Sequence, residues 1–252
     1  MTEAAAYAAD RSLKAKLRRR VVRLLQRRPA RLSLPRPMVS FTFDDAPASA
    51  ADLGARILAS HGVLGTFYVS AGLAGERGPM GRYASARELM AAASAGHELG
   101  CHTFSHLDCG QAGGPDIEAD VERNLARLTA WGASAPATFA YPYGDVSRSA
   151  KQTLEPRFKL LRALHTGLIE TGADLNQAPS IGIEGPRAEE RAHRWLQHAR
   201  RRGAWVILNT HDVTERPSPW GCTPQALDGL LKAALGSGME VVTVAEGARR
   251  LA

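Results

Sequence analysis

Cysteine is scarce in this chain: Cys101, Cys109 and Cys222 are the only three in 252 residues. So small and odd a number builds no disulfide framework, and reduced thiols in or beside a core are the expectation. Aromatic residues are also few, at 6%. None interleaves with the main basic run, so base stacking on nucleic acid is not expected. No stretch approaches the ~18 consecutive apolar residues that span a bilayer. The opening MTEAAAYAADRS lacks the continuous apolar stretch of a secretory leader, which points to a cytoplasmic protein.

Acidic residues are missing from 11–32, where ten Arg or Lys occur. With Glu3 and Asp10 counted, the first 32 residues carry +8, and the other 220 sum to −1 within the total of +7. The charge therefore belongs to an arm, and the body is nearly neutral. Leu13, Leu17, Val21 and Leu24 recur along one side of residues 11–28 and predict a basic amphipathic helix, stopped by Pro29 and followed by a linker with Pro35 and Pro37. The expected division is an arm over 1–37 and a domain over 38–252. Such a helix suits an anionic membrane surface, here the inner face, or an acidic partner. Docking on its own domain is the alternative. The oligomeric state is left open.

What is present is ordinary globular material, 44% hydrophobic and 23% charged, enough for one large α/β domain. Short β-forming runs at 38–43, 64–70, 97–102, 138–142, 158–164, 204–210 and 239–244 alternate with helical patterns at 50–60, 86–96, 116–131, 188–201 and 224–236. A short helix closes the chain. Alternation of this kind predicts a parallel sheet with helices outside, and seven or eight units favour a distorted barrel. No glycine-rich phosphate fingerprint follows the first strand, which argues against a nucleotide fold.

In such barrels reactive groups gather at the carboxyl ends of strands. The first strand ends in Asp44-Asp45. Neighbouring carboxylates cannot both point one way, so one can bind a metal while the other takes a proton. The third runs into Cys101-His102-Thr103-Phe104-Ser105-His106. Two histidines at i and i+4 are expected on one side of a helical turn, where one ion can accept both. A rival reading, a structural zinc site of Cys101, His102, His106 and Cys109, lacks the usual finger or ribbon spacing. The fourth leads into Tyr141-Pro142-Tyr143-Gly144, a turn whose amides can face a developing oxyanion. WVILNT ends in His211-Asp212, and a histidine at a barrel mouth is a proton-transfer candidate.

Together FTFDD, HTFSH, FAYPYG and ILNTH, in this order over roughly residues 38–247, resemble the motifs of the polysaccharide deacetylases, the NodB-homology or carbohydrate esterase 4 family. The resemblance implies an α/β fold, a distorted (β/α)7-8 barrel. It implies Asp44 as general base, His211 as general acid, and Asp45, His102 and His106 holding one divalent ion. Zinc is the first expectation, with cobalt, nickel or manganese able to substitute. It further implies the Tyr143 N–H in the oxyanion site beside Pro142, Leu208 lining a pocket for the acetyl methyl, and an N-acetylated glycan as substrate. The holdfast-type exopolysaccharide deacetylases of bacteria fit in size. Two features depart from the pattern. Ala140 stands where the family usually has an arginine that pairs with the base; Arg162 and Arg187 are candidate stand-ins. The acid supporting His211 is unassigned, with Asp174 and Asp212 as candidates. A hydrolase of a formyl or ureido group, or a silent glycan-binding module, are the alternatives.

Overall fold

The structure is a computed structural model and describes residues 20–185 and 187–251. Its sheet begins with β1 (Met38–Phe43), in which all six residues are buried. Strand alternation splits them. Val39, Phe41 and Phe43 join the apolar layer under the helices, leaving Ser40, Thr42 and then Asp44 for the opposite face, inside the curl. β2 (Thr66–Val69) follows a π-helical stretch, Ala50–Gly54, that runs into α1 (Ala55–Ser60). A small hairpin, β3 (Arg77–Gly78) with β4 (Gly81–Arg82), stands apart from the sheet. α2 (Ala86–Ser94) opens on a capping box between Ser85 and Glu88.

The remaining elements alternate: β5 (Glu98–Cys101), α3 (Gly114–Ala130), β6 (Thr138–Ala140), α4 (Arg148–Leu154) and β7 (Leu160–Arg162). Then come β8 (Ile181–Gly182), α5 (Ala188–Arg202), β9 (Trp205–Thr210), α6 (Pro224–Gly236), β10 (Glu240–Val241) and α7 (Val244–Arg249). The sheet runs β7-β6-β5-β2-β1-β9-β8, with β10 beside the start of β1, and every pairing within it is parallel. A bridge between Arg162 and Ala178 ties β7 to the segment that becomes β8, so the sheet curls nearly shut. This is the expected distorted β/α barrel. α4, β8 and the β3–β4 hairpin were not anticipated. They are short, and two-residue strands carry no periodicity to read.

The arm departs from expectation. Helix is present only from Arg20 to Val22 among the described residues, and Gln26 takes a left-handed turn at φ 45°. The Lys151 ammonium, on α4, donates to the carbonyls of Val22 and Leu25, at 2.9 and 3.1 Å, and pairs with Asp174 at 2.7 Å. It thereby takes up carbonyls that a longer helix would use. Arg28 N–H donates to Asp174, and Ala30 pairs with Ala173 and Gly172. Residues 28–30 thus pack on the domain as extended chain. The helix expected before residue 20 lies outside the described residues. Within them, no helix is long and apolar enough to cross a membrane.

Candidate active site

The carboxyl ends of β1, β5, β7 and β9 converge. At β1 the backbone turns left-handed at Asp45 and Ala46, with φ of 58° and 44°. That turn lets the two adjacent carboxylates diverge. Asp44, 3% exposed, accepts a hydrogen bond from Arg162 Nη2. Asp45 turns toward the β5 loop, with Oδ1 3.4 Å from His106 Nε2 and 3.8 Å from His102 Nε2. Ligand atoms of Asp45, His102 and His106 all lie within 4.8 Å of one another.

The two histidines do not share a helical turn. They lie in an irregular loop bent by left-handed residues at Thr103 (φ 61°) and His106 (φ 58°). Asp120 on α3 holds that loop, accepting from Phe104 N at 2.7 Å, Ser105 N at 3.0 Å and Ser105 Oγ at 3.0 Å. These bonds replace the intrahelical ladder and still bring the imidazoles together, with ring centroids 5.0 Å apart. His102 Nδ1 donates to the Ala140 carbonyl at 2.7 Å, which leaves the Nε2 lone pair facing Asp45. Burial, with His106 adding to it, pulls the His102 pKa down to about 4 against the pull of Asp45 and Asp44, so the ring is neutral at ordinary pH. The cysteines stay out of this cluster. Cys101 Sγ meets Asn124 Nδ2 at 3.2 Å, Cys109 bonds the Leu107 carbonyl, and burial pushes the Cys101 thiol up to about 12. The structural-zinc reading does not fit: among the described residues the clustered ligand atoms are those of Asp45, His102 and His106, and neither thiol is among them.

Arg162 takes the arginine's place. It is fully buried, stands opposite Ala140 in the β6–β7 register, and sets its guanidinium 5.1 Å from the centre of the Tyr68 ring. Burial alone would raise the Asp44 pKa. The charges of Arg162, His102 and His211, with the Arg162 hydrogen bond, outweigh it and hold the carboxyl below its usual range. Arg187 plays no such part; it is exposed at the start of α5.

His211 follows β9. Its Nδ1 lies 3.2 Å from the Trp220 carbonyl and 3.7 Å from Glu184 Oε2. Burial would lower its pKa, but Glu184, Asp44 and Asp45 together raise it to about 9. The carboxylate beside His211 Nδ1 is Glu184, just past β8, and neither candidate from the sequence. Asp212 holds Ser218 through its N–H and hydroxyl, and Asp174 is engaged with Lys151 and the arm. Leu208 also departs from expectation. It belongs to the apolar layer beneath α5 and α6, because alternation along β9 sends it outward. Asn209, paired with Thr42 across β1 and β9, shares the inner face with His211. Pro142 is buried, and Tyr143, left-handed at φ 59°, sets its ring 4.4 Å from that of His106. Tyr83, after β4, lies at the same mouth: burial, then the charges of Asp45 and Tyr143, push its phenol up to about 12.

A nearly closed parallel sheet carrying this cluster on its carboxyl rim defines a β/α-barrel protein of the carbohydrate esterase 4 type. The chain belongs to the polysaccharide deacetylase family, whose profile matches residues 31–156. A comparison with curated proteins returned no match. Among solved structures, the chain is similar to the Xyl-CE4 domain of a multidomain xylanase from the hindgut metagenome of Trinervitermes trinervoides, at 19% identity and TM-score 0.62, covering 84% of this chain and 89% of that one. A family 4 acetyl xylan esterase from Clostridium thermocellum, solved with a cobalt ion, is 23% identical with TM-score 0.58, covering 83% and 89%. A family 4 pseudoenzyme from Bacillus anthracis is 17% identical with TM-score 0.58, covering 86% and 66%.

Proposed function

We propose that this chain is a divalent-metal-dependent deacetylase that hydrolyses the N-acetyl group of N-acetylhexosamine residues, in a polysaccharide or a lipid-linked glycan, and releases acetate. The observation that carries the reading is the pairing of roles at the tip of β1: Asp44 is held ionised by Arg162, while Asp45 faces the imidazoles of His102 and His106.

The donor set fits a divalent cation. Asp45 Oδ1 is buried without a hydrogen-bond partner, a costly state for a carboxylate that a cation would relieve. Two imidazoles and one carboxylate suit zinc first, with cobalt, nickel or manganese able to take the same donors. Bound there, the ion would supply Lewis acidity, acidifying water and polarising the amide carbonyl.

The chain's own groups do the rest. Asp44 accepts a proton from the attacking water, its carboxylate kept in the acceptor form by Arg162. His211, protonated up to about pH 9, delivers a proton to the departing amine nitrogen. The amide of Tyr143, in the turn at Pro142, serves the oxyanion. The rings of Tyr143 and Tyr83 border the mouth, where a sugar ring can lie against them. The test is acetate release from short N-acetylglucosamine oligomers by the metal-loaded protein, compared with Asp44→Asn.

One observation favours a second reading, hydrolysis of a formyl or ureido group. The inner-face residue next to His211 is Asn209, whose amide oxygen and nitrogen are both buried and unpartnered. A polar side chain there suits a polar acyl group better than a methyl. Measuring acetate against formate and ammonia across the corresponding substrates decides.

A further inference from the structure

The guanidinium of Arg162 is fully buried and donates from Nη2 to Asp44. Its Nε and Nη1 are also buried, with no hydrogen-bond partner among the described residues. A cation so placed is costly unless something else stabilises it. The face of the Tyr68 ring does so, with its centroid 5.1 Å from Arg162 Cζ, within the range of cation–π attraction. We propose that Tyr68 is a positioning residue for the general base: its ring holds the buried guanidinium so that Nη2 stays on Asp44. The bearing of this contact on rate rests on the deacetylase reading.

β2 and β7 are not neighbours. The order β7-β6-β5-β2 puts them three strand spacings apart, about 14 Å along a sheet. Two long side chains close that gap only where the strands between carry little on the inner face. Phe67 and Val69 join the outer apolar layer, so alternation turns Thr66 and Tyr68 inward. Directly across from Tyr68 on β5 is Gly100. A Cβ there would lie 2.5 Å from Cδ1 and Cε1 of the ring and 3.3 Å from Thr138 Oγ1. Gly100 is therefore required by space, and it lets the ring lie across β5 toward β6. Opposite Arg162 on β6 is Ala140, a single methyl.

The surroundings of the ring are fixed at the amino ends of the strands. Thr138 Oγ1, at the start of β6, donates to Glu98 at the start of β5. Glu98 also accepts from Thr66 Oγ1 and from the Ala245 N–H, each at 2.8 Å. Burial, then the charge of Glu98, hold the Tyr68 pKa above its ordinary value, so Arg162 meets a neutral π face and not a phenolate. The same ring lies 6.3 Å from that of His102. Tyr68 thus stands between the arginine that serves Asp44 and one imidazole of the metal cluster.

The experiment compares Tyr68→Phe and Tyr68→Leu in the full chain, each alone and combined with Arg162→Met. Magnetic resonance spectra of isotope-labelled arginine side chains should show an exchange-protected Nε–H signal that the ring shifts upfield and that Arg162→Met abolishes. Tyr68→Phe should keep the shift and Tyr68→Leu should lose it. On N-acetylglucosamine oligomers, Tyr68→Leu should lower kcat about tenfold or more, with KM and metal content unchanged. Tyr68→Phe should restore most of the rate, and in the Arg162→Met background Tyr68→Leu should cost little further. If Tyr68→Leu does not fold, Gly100→Ala displaces the ring from the opposite strand and should move the same signal. An Arg162 signal indifferent to the ring, or rate losses of Tyr68→Leu and Arg162→Met that simply multiply, would overturn the proposal. Equal losses in Tyr68→Phe and Tyr68→Leu would assign the effect to the hydroxyl and overturn it as well. Failure of the deacetylase reading has a separate signature: no acetate from wild type, while the Arg162 signal still follows the ring.

Discussion

Arg162 on β7 reaches across the inside of the barrel to Asp44 on β1, and it does so from the register position opposite Ala140. The guanidinium has moved by one strand relative to the place where the family resemblance expects it, and the carboxylate it holds is the same. Both groups are buried, so removing one strands the other. Arg162→Met should cost about 3–5 kcal/mol of stability and lower kcat about 10²-fold or more, the usual size of a general-base contribution, with little change in KM. Arg162→Lys should recover part of the stability and less of the rate, because an ammonium lacks the planar fork. Thermal unfolding and steady-state kinetics of the two variants check this.

On the proposed function, His211 and Glu184 should set the alkaline side of the pH profile. The His211 pKa is raised from 6.5 to about 9, so its proton is present through neutrality and is lost as pH rises through the raised value. Glu184→Gln removes the first of the raising partners. Its alkaline limb should therefore move to lower pH, and kcat at pH 8 should fall several-fold while the metal content stays at wild type. The same shift stabilises the fold fully below pH 6.5, a gain lost as pH climbs toward 9. Unfolding midpoints across that window should converge between wild type and Glu184→Gln as pH rises.

Asp120 touches neither carboxylate of the pair, yet three hydrogen bonds from the 104–105 backbone and hydroxyl end on it. Asp120→Ala should loosen the loop that brings His106 to His102. The expected effect is a 10–100-fold loss of metal affinity and about 1–3 kcal/mol of stability. Competition with a chelator, read beside thermal unfolding, separates the two.

The arm has two parts that should behave differently. Deleting 1–32 uncovers the buried Lys151 and the partly buried Asp174 that pairs with it, and should lower stability regardless of any surface the arm binds. Deleting 1–19 leaves the packed segment in place. Loss of binding to anionic vesicles in this shorter deletion, with an unchanged melting temperature, is the result expected if the basic helix meets a membrane.

Much of this arrangement could be read from the chain alone because strand and chemistry adjoin in it. FTF-Asp44-Asp45 and WVILNT-His211 each place an apolar run directly before a reactive group, and a parallel barrel then puts those groups on one rim. Arg162 had a faint signal, a charge between the apolar pairs 160–161 and 163–164. Glu184 had none, since β8 is two residues long. Leu208 was assigned to the wrong face: in a strand buried on both sides, hydrophobicity does not tell inside from outside. The His102–His106 loop was expected as a helical turn because i, i+4 spacing suits one. Asp120, sixteen residues away from Phe104, imposed another path. Lys151, far along the chain, ended the arm's helix in the same way.

The most direct test is metal analysis of three purified forms, joined to acetate release from N-acetylglucosamine oligomers. Wild type should hold one divalent ion per chain and release acetate, Asp44→Asn should keep the ion and lose turnover, and His106→Ala should lose both. An Asp44→Asn protein emptied of metal, or a His106→Ala protein that still holds it, would contradict the division of labour between Asp44 and Asp45.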